Sequence, residues 1–457
     1  ELYRFPKNSW LYDLEVRGNY LYVLCNTSLY RFPKGRIVGQ GTTPEKLLWG
    51  SPMGHYHQGF HGMEFGPNGD LFLSMGDPQP HLHWDRSRPD HLWHWTFYVG
   101  PENQSFVYNG VGAIFRYQLE SHTLSVHTSG LRNPCGLSFD PQWNLFTNDN
   151  DQEGSVASPG RLVYAPRFAW AGWVRGWAAR RNPKRLDMLP VSSLDLDVPV
   201  GQCWYDDIVL GERYRGSLFV ANWGDRTVTQ HKFNRNGAGF SSTTEPFLIG
   251  EGINRPVSVM PTNDGRLIVS LCHMQGNEDS PVRRTDLVLI EPRNRNFLHL
   301  DFSTQSPNRL LHKPWQIRAK AHQEILVAKG KALEDAAAEF QSISNDNPAI
   351  YCLMPLAFRH GDKPSLEKIQ TLAKGGGGLA ANAIRLNVKA PPDSSLDAQV
   401  AHLSDPITMH ALLEVMHENA RTPTNFVIQA ATHSDAYVRQ SASQLLAKTS
   451  TEADLFA

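Results

Sequence analysis

The chain has 457 residues, too many for one ordinary hydrophobic core, so two or three domains are expected. It carries 44 Lys and Arg against 45 Asp and Glu, and a net charge of −1 gives no general attraction for nucleic acid or an anionic membrane. Hydrophobic residues make up 40% of it, too many for a disordered chain, yet no window approaches the roughly 18 consecutive apolar residues of a membrane span.

The chain begins at Glu1 with no Met and no signal-like segment, which reads as a mature form or a fragment whose address is not written in these residues. The hexapeptide LYRFPK stands at 2–7 and again at 29–34, each copy reading as the last strand of a repeat. Between and beyond them one phrase recurs: a turn, then Leu with an aromatic or aliphatic residue, then a short β-rich run. It is GNYLYVL at 18, NGDLFLS at 68, QWNLFTN at 142, RGSLFVA at 215 and DGRLIVS at 264. Apolar alternation bounded by Gly, Asn and Asp predicts antiparallel hairpins. The Leu residues at 21, 71, 145, 218 and 267 are 50, 74, 73 and 49 apart. Repeats of roughly 40 to 50 residues made of short strands predict propeller blades with insertions where the spacing stretches. With LYRFPK at 2–7 as the tail of an incomplete first blade, and five fuller blades ending near DLVLIEP at 286–292, the count is six.

Within GHYHQGFHGMEFGPNGDLFLSMGD at 54–77, His55, His57 and His61 fall within seven residues. Imidazoles at that spacing suit a metal or general-base work near neutral pH, and a loop packed with polar aromatics is the alternative. His61 opens an inner strand, so it is expected to face the central channel, while Asp77 reads as a turn residue. The insert PHLHWDRSRPDHLWHW at 80–95 is a candidate cover for that channel. GLRNPCGLSFDPQWNLFTNDND at 130–151 brings Arg132 and Asn133 to the next inner strand, at the blade position taken to match Phe60 and His61. His61 and Arg132 are therefore expected in one solvent-filled space, where an Arg fork suits carboxylate or phosphate oxygens. The run ends in Asn148, Asp149, Asn150 and Asp151, either a turn or a loop of hard oxygens for calcium. RFAWAGWVRGW at 167–177 holds three Trp within eight residues. It reads as core or as an aromatic platform for a ring or sugar.

Five cysteines with no C-x-x-C argue against a structural zinc site and against haem attachment. Cys203 and Cys272 both lie in the strand-rich part and could pair, but a sparse odd count favours free thiols. Past residue 300 the pattern changes to apolar residues at three- and four-residue spacing, as in HKPWQIRAKAHQEILV and HSDAYVRQSASQLLAK, with Arg318 and Arg439 in matching places. Paired helices with an Asp-x-x-Val-Arg signature predict an α-solenoid of HEAT type that continues in a longer parent protein. GGGG at 375–378 lacks the Lys-Ser/Thr of a phosphate loop and reads as a helix connection. The expected organisation is thus a mainly β six-bladed propeller over 1–298 and an all-α HEAT-like solenoid over 299–457.

HGMEFGPNGDLFLSMGD, GLRNPCGLSFDPQWNLFTNDND, YRGSLFVANWGD and NRPVSVMPTNDGRLIVS resemble the soluble sugar-dehydrogenase family, six-bladed propellers that use pyrroloquinoline quinone with calcium. Propeller and HEAT-like helices together resemble the large membrane-bound dehydrogenases of planctomycete-type bacteria, over roughly residues 10 to 450. In that group a cytochrome c domain often follows, and this chain has none. The resemblance implies a quinoprotein-like oxidoreductase, periplasmic or otherwise extracytoplasmic, that acts on a small sugar or alcohol and passes electrons to a cytochrome c. It places Arg132, Asn133, Arg255 and Trp173 around the quinone and Asp149, Asn150 and Asp151 around calcium. The family's base is a His eight residues before the hairpin Gly-Pro; counting back from Gly66 reaches Gln58, with His57 and His61 on either side. The family's Arg-x-Arg-Asp element stands here as Arg255-Pro256-Val257-Ser258 and keeps one Arg of two. Two other readings remain open: a calcium-dependent lactonase-like hydrolase, and a non-catalytic propeller and solenoid that bind a carbohydrate or a protein partner.

Overall fold

The computed structural model describes residues 5, 10–33, 43–50, 59–77, 95–150, 160–173, 191–194, 198–273, 284–293, 307–311, 314–386, 404–419 and 425–449. Among the described residues, twenty-one strands form five antiparallel sheets. The first sheet holds β1 (Leu11–Arg17), β2 (Tyr20–Cys25), β3 (Ser28–Pro33), β4 (Glu45–Trp49), β7 (Trp95–Val99) and β8 (Gln104–Tyr108). The second runs from β5 (Gly59–Phe65) through β6 (Leu71–Gly76) and β9 (Gly112–Gln118) to β10 (Thr123–Leu131). β11 (Pro134–Phe139), β12 (Leu145–Asp149), β13 (Arg161–Tyr164) and β14 (Ser192–Ser193) make the third. The fourth is β15 (Pro199–Tyr205), β16 (Ser217–Asn222), β17 (Thr227–Asn236) and β18 (Gly239–Ile249); the fifth is β19 (Asn254–Pro261), β20 (Leu267–His273) and β21 (Arg284–Ile290).

These sheets are five blades of a β-propeller. Each recurring Leu-aromatic phrase is the second strand of its blade, and the inner strands pack in the order β1, β5, β11, β15, β19. The hexapeptide 2–7, assigned from sequence to a sixth, incomplete blade, lies outside the described residues except for Phe5. The Phe5 ring packs edge-on against Tyr30 and Phe32 of β3.

Every inner strand breaks register near its start, between Leu11 and Asp13, Phe60 and Gly62, Pro134 and Leu137, Pro199 and Gln202, and Pro256 and Ser258. Such a bulge adds a residue to one strand and re-aims its side chain. Behind three of these bulges stands a glycine at which a Cβ would meet the next blade: at Gly62, 2.3 Å from the Cys135 carbonyl oxygen; at Gly136, 2.6 Å from Gln202 Cγ; at Gly201, 2.7 Å from Ser258 Cα. Those absent side chains let successive inner strands approach closely.

Eight helices follow among the described residues: α1 (Trp315–Ala328), α2 (Gly330–Ser342), α3 (Ile350–His360), α4 (Lys363–Ala373), α5 (Gly377–Leu386), α6 (Pro406–Glu418), α7 (Asn425–Ala430) and α8 (Ala436–Thr449). The Asp of the Asp-x-x-Val-Arg signature has two tasks. Asp435 Oδ1 accepts the N–H groups of Tyr437 and Val438 at the start of α8, and its Oδ2 accepts Ala238 N–H from the fourth blade. The helices share a core with the propeller, in which Phe139, Leu145 and Phe146 join Trp315, Ile325 and Phe340. Buried indoles pin the two parts: Trp315 Nε1 donates to Phe139 O at 2.9 Å and Trp143 Nε1 to Tyr351 O at 2.8 Å. His322 on α1 lies 2.7 Å from Pro67 O of the second blade and 2.9 Å from Cys352 O of α3. The GGGG stretch ends in the first turn of α5, where Gly377 N donates to Asp405, and Gly378 lies against Gln142 of the third blade. Cys203 and Cys272 are not bonded to each other; all five thiols are free. No helix among the described residues is long and apolar enough to cross a membrane.

Candidate functional site

The motifs singled out from sequence converge where the second and third blades meet. His61 is the bulged residue of β5. Its Nδ1 lies 3.3 Å from the carbonyl oxygen of Pro134, which opens β11, and its ring meets Tyr12 of the first blade edge-on, with centroids 4.9 Å apart. A carbonyl only accepts, so a neutral His61 holds its proton on Nδ1 and its lone pair on Nε2.

The hairpin pairings fix the correspondence between blades. Pro134 pairs with Asp149 as Phe60 pairs with Met75, and Phe139 with Leu145 as Phe65 with Leu71. Counting from these pairs, Arg132 and Asn133 match Gln58 and Gly59, and His61 matches Cys135. The equivalence expected from sequence was two residues out; both strands carry one extra residue near their start, so the hairpin ends set the match. The space expected to be solvent-filled is also more enclosed: His61 is 7% exposed and Arg132 5%.

Arg132 Nη1 donates to Asn150 O at 2.9 Å, and its own carbonyl accepts Asp77 N–H. Asp77, taken as a turn residue, is thereby drawn beside Arg132, and its Oδ2 accepts Trp173 Nε1–H at 2.9 Å. The tryptophans do not form one platform. Trp173 belongs to this cluster, whereas the main chain of Trp170 exchanges two hydrogen bonds with Gln440 of α8. Asn133 is 3% exposed, and its Oδ1 meets no donor among the described residues. A buried acceptor left open costs about 1–3 kcal/mol unless a ligand or water fills it. Arg255 lies on the fifth blade, its guanidinium 4.3 Å over the Trp223 ring and its Nη1 on the carbonyls of Trp223 and Gly224. Its buried Nε has no partner among the described residues, and burial, with Arg226 nearby, holds its pKa below the usual value. His57, Gln58, Asp151 and Trp177 lie outside the described residues.

The acid run resolves into structural contacts. Asp149 is 0% exposed. Its Oδ1 accepts Asn133 N–H at 2.8 Å and Arg132 N–H at 3.1 Å, and its Oδ2 takes Arg161 Nε at 3.0 Å and Nη2 at 2.7 Å. Asn148 Nδ2 donates to Val200 O and Gln202 Oε1, tying the third blade to the fourth. Asn150 N donates to Asn133 O. A calcium ion on Asp149 would have to displace a guanidinium and two main-chain N–H groups, so this residue does not fit the metal-ligand role expected of it. No group of three or more His, Cys, Asp or Glu among the described residues is arranged to hold a metal. Pyrroloquinoline quinone presents carboxylates and one pyrrole N–H. Arg132, Arg255 and the open Asn133 Oδ1 match it in kind.

Sequence reasoning missed a second group of titratable residues on the inner strands. Asp13 and Glu15 of β1 and Glu64 of β5 share one environment. Burial pushes Asp13 up to about 6 although Met63 and Leu14 N–H groups bond it. Burial, then the Asp13 charge, pushes Glu15 up to about 8, against the pull of Lys320 on α1. Burial, then Glu15 and Asp13, holds Glu64 well above the carboxylate range. The visible signal was the inverted alternation of β1, which exposes Leu14 and Val16 and turns Asp13 and Glu15 the other way.

No family model matches the chain, and no curated protein matches it. The solved structures to which the chain is similar include sugar dehydrogenases. The PQQ-bound aldose sugar dehydrogenase of Streptomyces coelicolor is 20% identical, with a TM-score of 0.41 over 60% of this chain and 74% of that one. A glucose dehydrogenase-type oxidoreductase of Thermus thermophilus is 19% identical, with a TM-score of 0.44 over 63% and 84%. The PQQ domain of pyranose dehydrogenase from Coprinopsis cinerea is 14% identical, with a TM-score of 0.37 over 61% and 81%. At these values the likeness carries no residue role.

Proposed function

We propose that this chain is the propeller of a quinoprotein-like oxidoreductase that removes hydrogen from a hydroxyl of a small sugar or alcohol. The observation that carries the reading is His61: its Nδ1 lies on the carbonyl of Pro134, so a neutral ring keeps Nε2 as the basic atom, and Pro134 follows by two residues the Arg132 whose carbonyl accepts Asp77 N–H, Asp77 in turn holding Trp173. His61 Nε2 takes the hydroxyl proton of the substrate. Arg132, Asn133 and Arg255 would hold the quinone, which would serve as the hydride acceptor when bound. Trp173, fixed by its bond to Asp77, closes one side against water. His57 is the alternative base within the same stretch. Asn150 and Asp151 remain the acid-run candidates for a calcium ion.

The wider reading adds a sixth blade to the five, a HEAT-type array in the helices, an extracytoplasmic location and a cytochrome c as electron acceptor. The chemistry is tested by dye reduction with a panel of aldoses and alcohols, with the quinone and calcium added separately and together. Quinone-dependent turnover that disappears in His61→Gln, with the melting temperature kept, supports it. No turnover with any combination refutes it.

A specific observation favours a second, non-catalytic reading. Asp149 and Arg161 are spent on each other, and His61 and Arg132 are nearly closed off, as in a site built for rigidity. Saturable sugar binding by calorimetry without turnover would select the carbohydrate-binding module, and hydrolysis of a lactone would select the lactonase-like alternative.

A further inference from the structure

The breaks in register of β1 and β5 have a consequence for His61. In β1 the unpaired residue between Leu11 and Asp13 is Tyr12, and in β5 the one between Phe60 and Gly62 is His61. A bulge turns its residue out of the strand's regular alternation. Here the two bulged side chains of neighbouring blades meet, at 4.9 Å between centroids and 79° between planes, an edge-to-face pair. The other edge of the imidazole is held by a third blade through Nδ1 and Pro134 O. Gly62, the residue after the bulge, lets β11 come so close that a Cβ there would overlap the Cys135 carbonyl. The ring of His61 is thus gripped between three successive inner strands.

We infer that Tyr12 is the positioning residue of His61: it fixes the plane of the imidazole so that Nδ1–H stays on Pro134 O and Nε2 stays the basic atom. The inference rests on the reading of His61 as the base, and Tyr12 itself touches no reacting atom. Without the Tyr12 edge, the imidazole can turn about its χ2 torsion, which is broad for an aromatic ring. Turning lengthens the carbonyl contact on Nδ1 that selects the tautomer. A Phe keeps the ring pairing and is therefore the control that separates the ring from the phenol oxygen.

The experiment is a long-range proton–nitrogen correlation spectrum of the whole chain labelled with nitrogen-15 histidine, with the His61 signals identified by their loss in His61→Gln. Wild type and Tyr12→Phe are expected to show neutral His61 with its proton on Nδ1. Tyr12→Ala is expected to shift the tautomer ratio by roughly three- to tenfold, the range set by an aromatic-pair contribution. Tyr12→Leu, which keeps most of the bulk, should shift it in the same direction. An unchanged His61 spectrum in folded Tyr12→Ala or Tyr12→Leu overturns the inference. Loss of the folded state in both variants also overturns it, because Tyr12 would then be a packing residue. The readout needs no turnover. If His61→Gln proves as active as wild type while Tyr12→Ala shifts the tautomer, the base assignment fails and the positioning role stands.

Discussion

Replacing Arg161 by Met removes the countercharge of a carboxylate that is entirely out of solvent. Asp149 then keeps only the main-chain N–H groups of Arg132 and Asn133. The carbonyls of Ala171 and Gly130 lose the guanidinium as donor at the same time. Breaking a buried ion pair from one side costs about 3–5 kcal/mol, because the remaining charge is stranded. Asp149→Asn strands Arg161 instead and falls in the same range, at the lower end because the amide oxygen still accepts the two main-chain bonds. In Asp149→Asn with Arg161→Met both charges are gone. The double variant is therefore expected to lose less than the sum of the singles, by about 0.5–3 kcal/mol of coupling. Urea unfolding of the four proteins at fixed pH measures this, and repeating it with calcium and with chelator separates the ion pair from a metal loop. Additive losses would refute the pairing. So would a wild-type midpoint that rises with calcium and an Asp149→Asn variant that does not respond.

The carboxyls of Asp13 and Glu15 titrate higher in the folded chain than the ordinary values of 3.8 and 4.5, at about 6 and about 8. The folded state therefore binds more protons between those limits, and stability falls as pH rises from about 4 to about 8. Asp13→Asn with Glu15→Gln should flatten the decline of the thermal midpoint over that window; an unchanged slope would remove the acid group from the explanation. His322 has the opposite sign. Burial pushes it down to about 4 from an ordinary 6.5, so its contribution is present above 6.5 and lost as pH falls through 4. His322→Gln should shrink the loss of midpoint on acidification, measured by calorimetry between pH 7 and 4. Gly62→Ala forces a methyl against the Cys135 carbonyl and should cost about 1–3 kcal/mol in urea unfolding. A neutral result would mean that the second and third inner strands separate freely.

Much of the architecture is legible in one dimension because it is periodic. Alternation around Leu21, Leu71, Leu145, Leu218 and Leu267 marks the second strand of every blade, and three- to four-residue spacing past 300 marks the helices. Arg132 and His61 could be named as candidates because each stands near the start of an inner strand. The partners of Asp149 could not be read in the same way. Asn and Asp in a row have the same composition in a calcium loop, a turn or a buried ion pair, and Arg161 is 12 residues away on another strand. Trp173 and Asp77 are 96 residues apart and share no local pattern. Local sequence determined which elements form, because propensity and hydrophobic period act over a few residues. Tertiary structure decided which charges are paired, which imidazole nitrogen is basic and which acids are buried, because each depends on groups that only the packing of one blade against the next brings within a few ångströms.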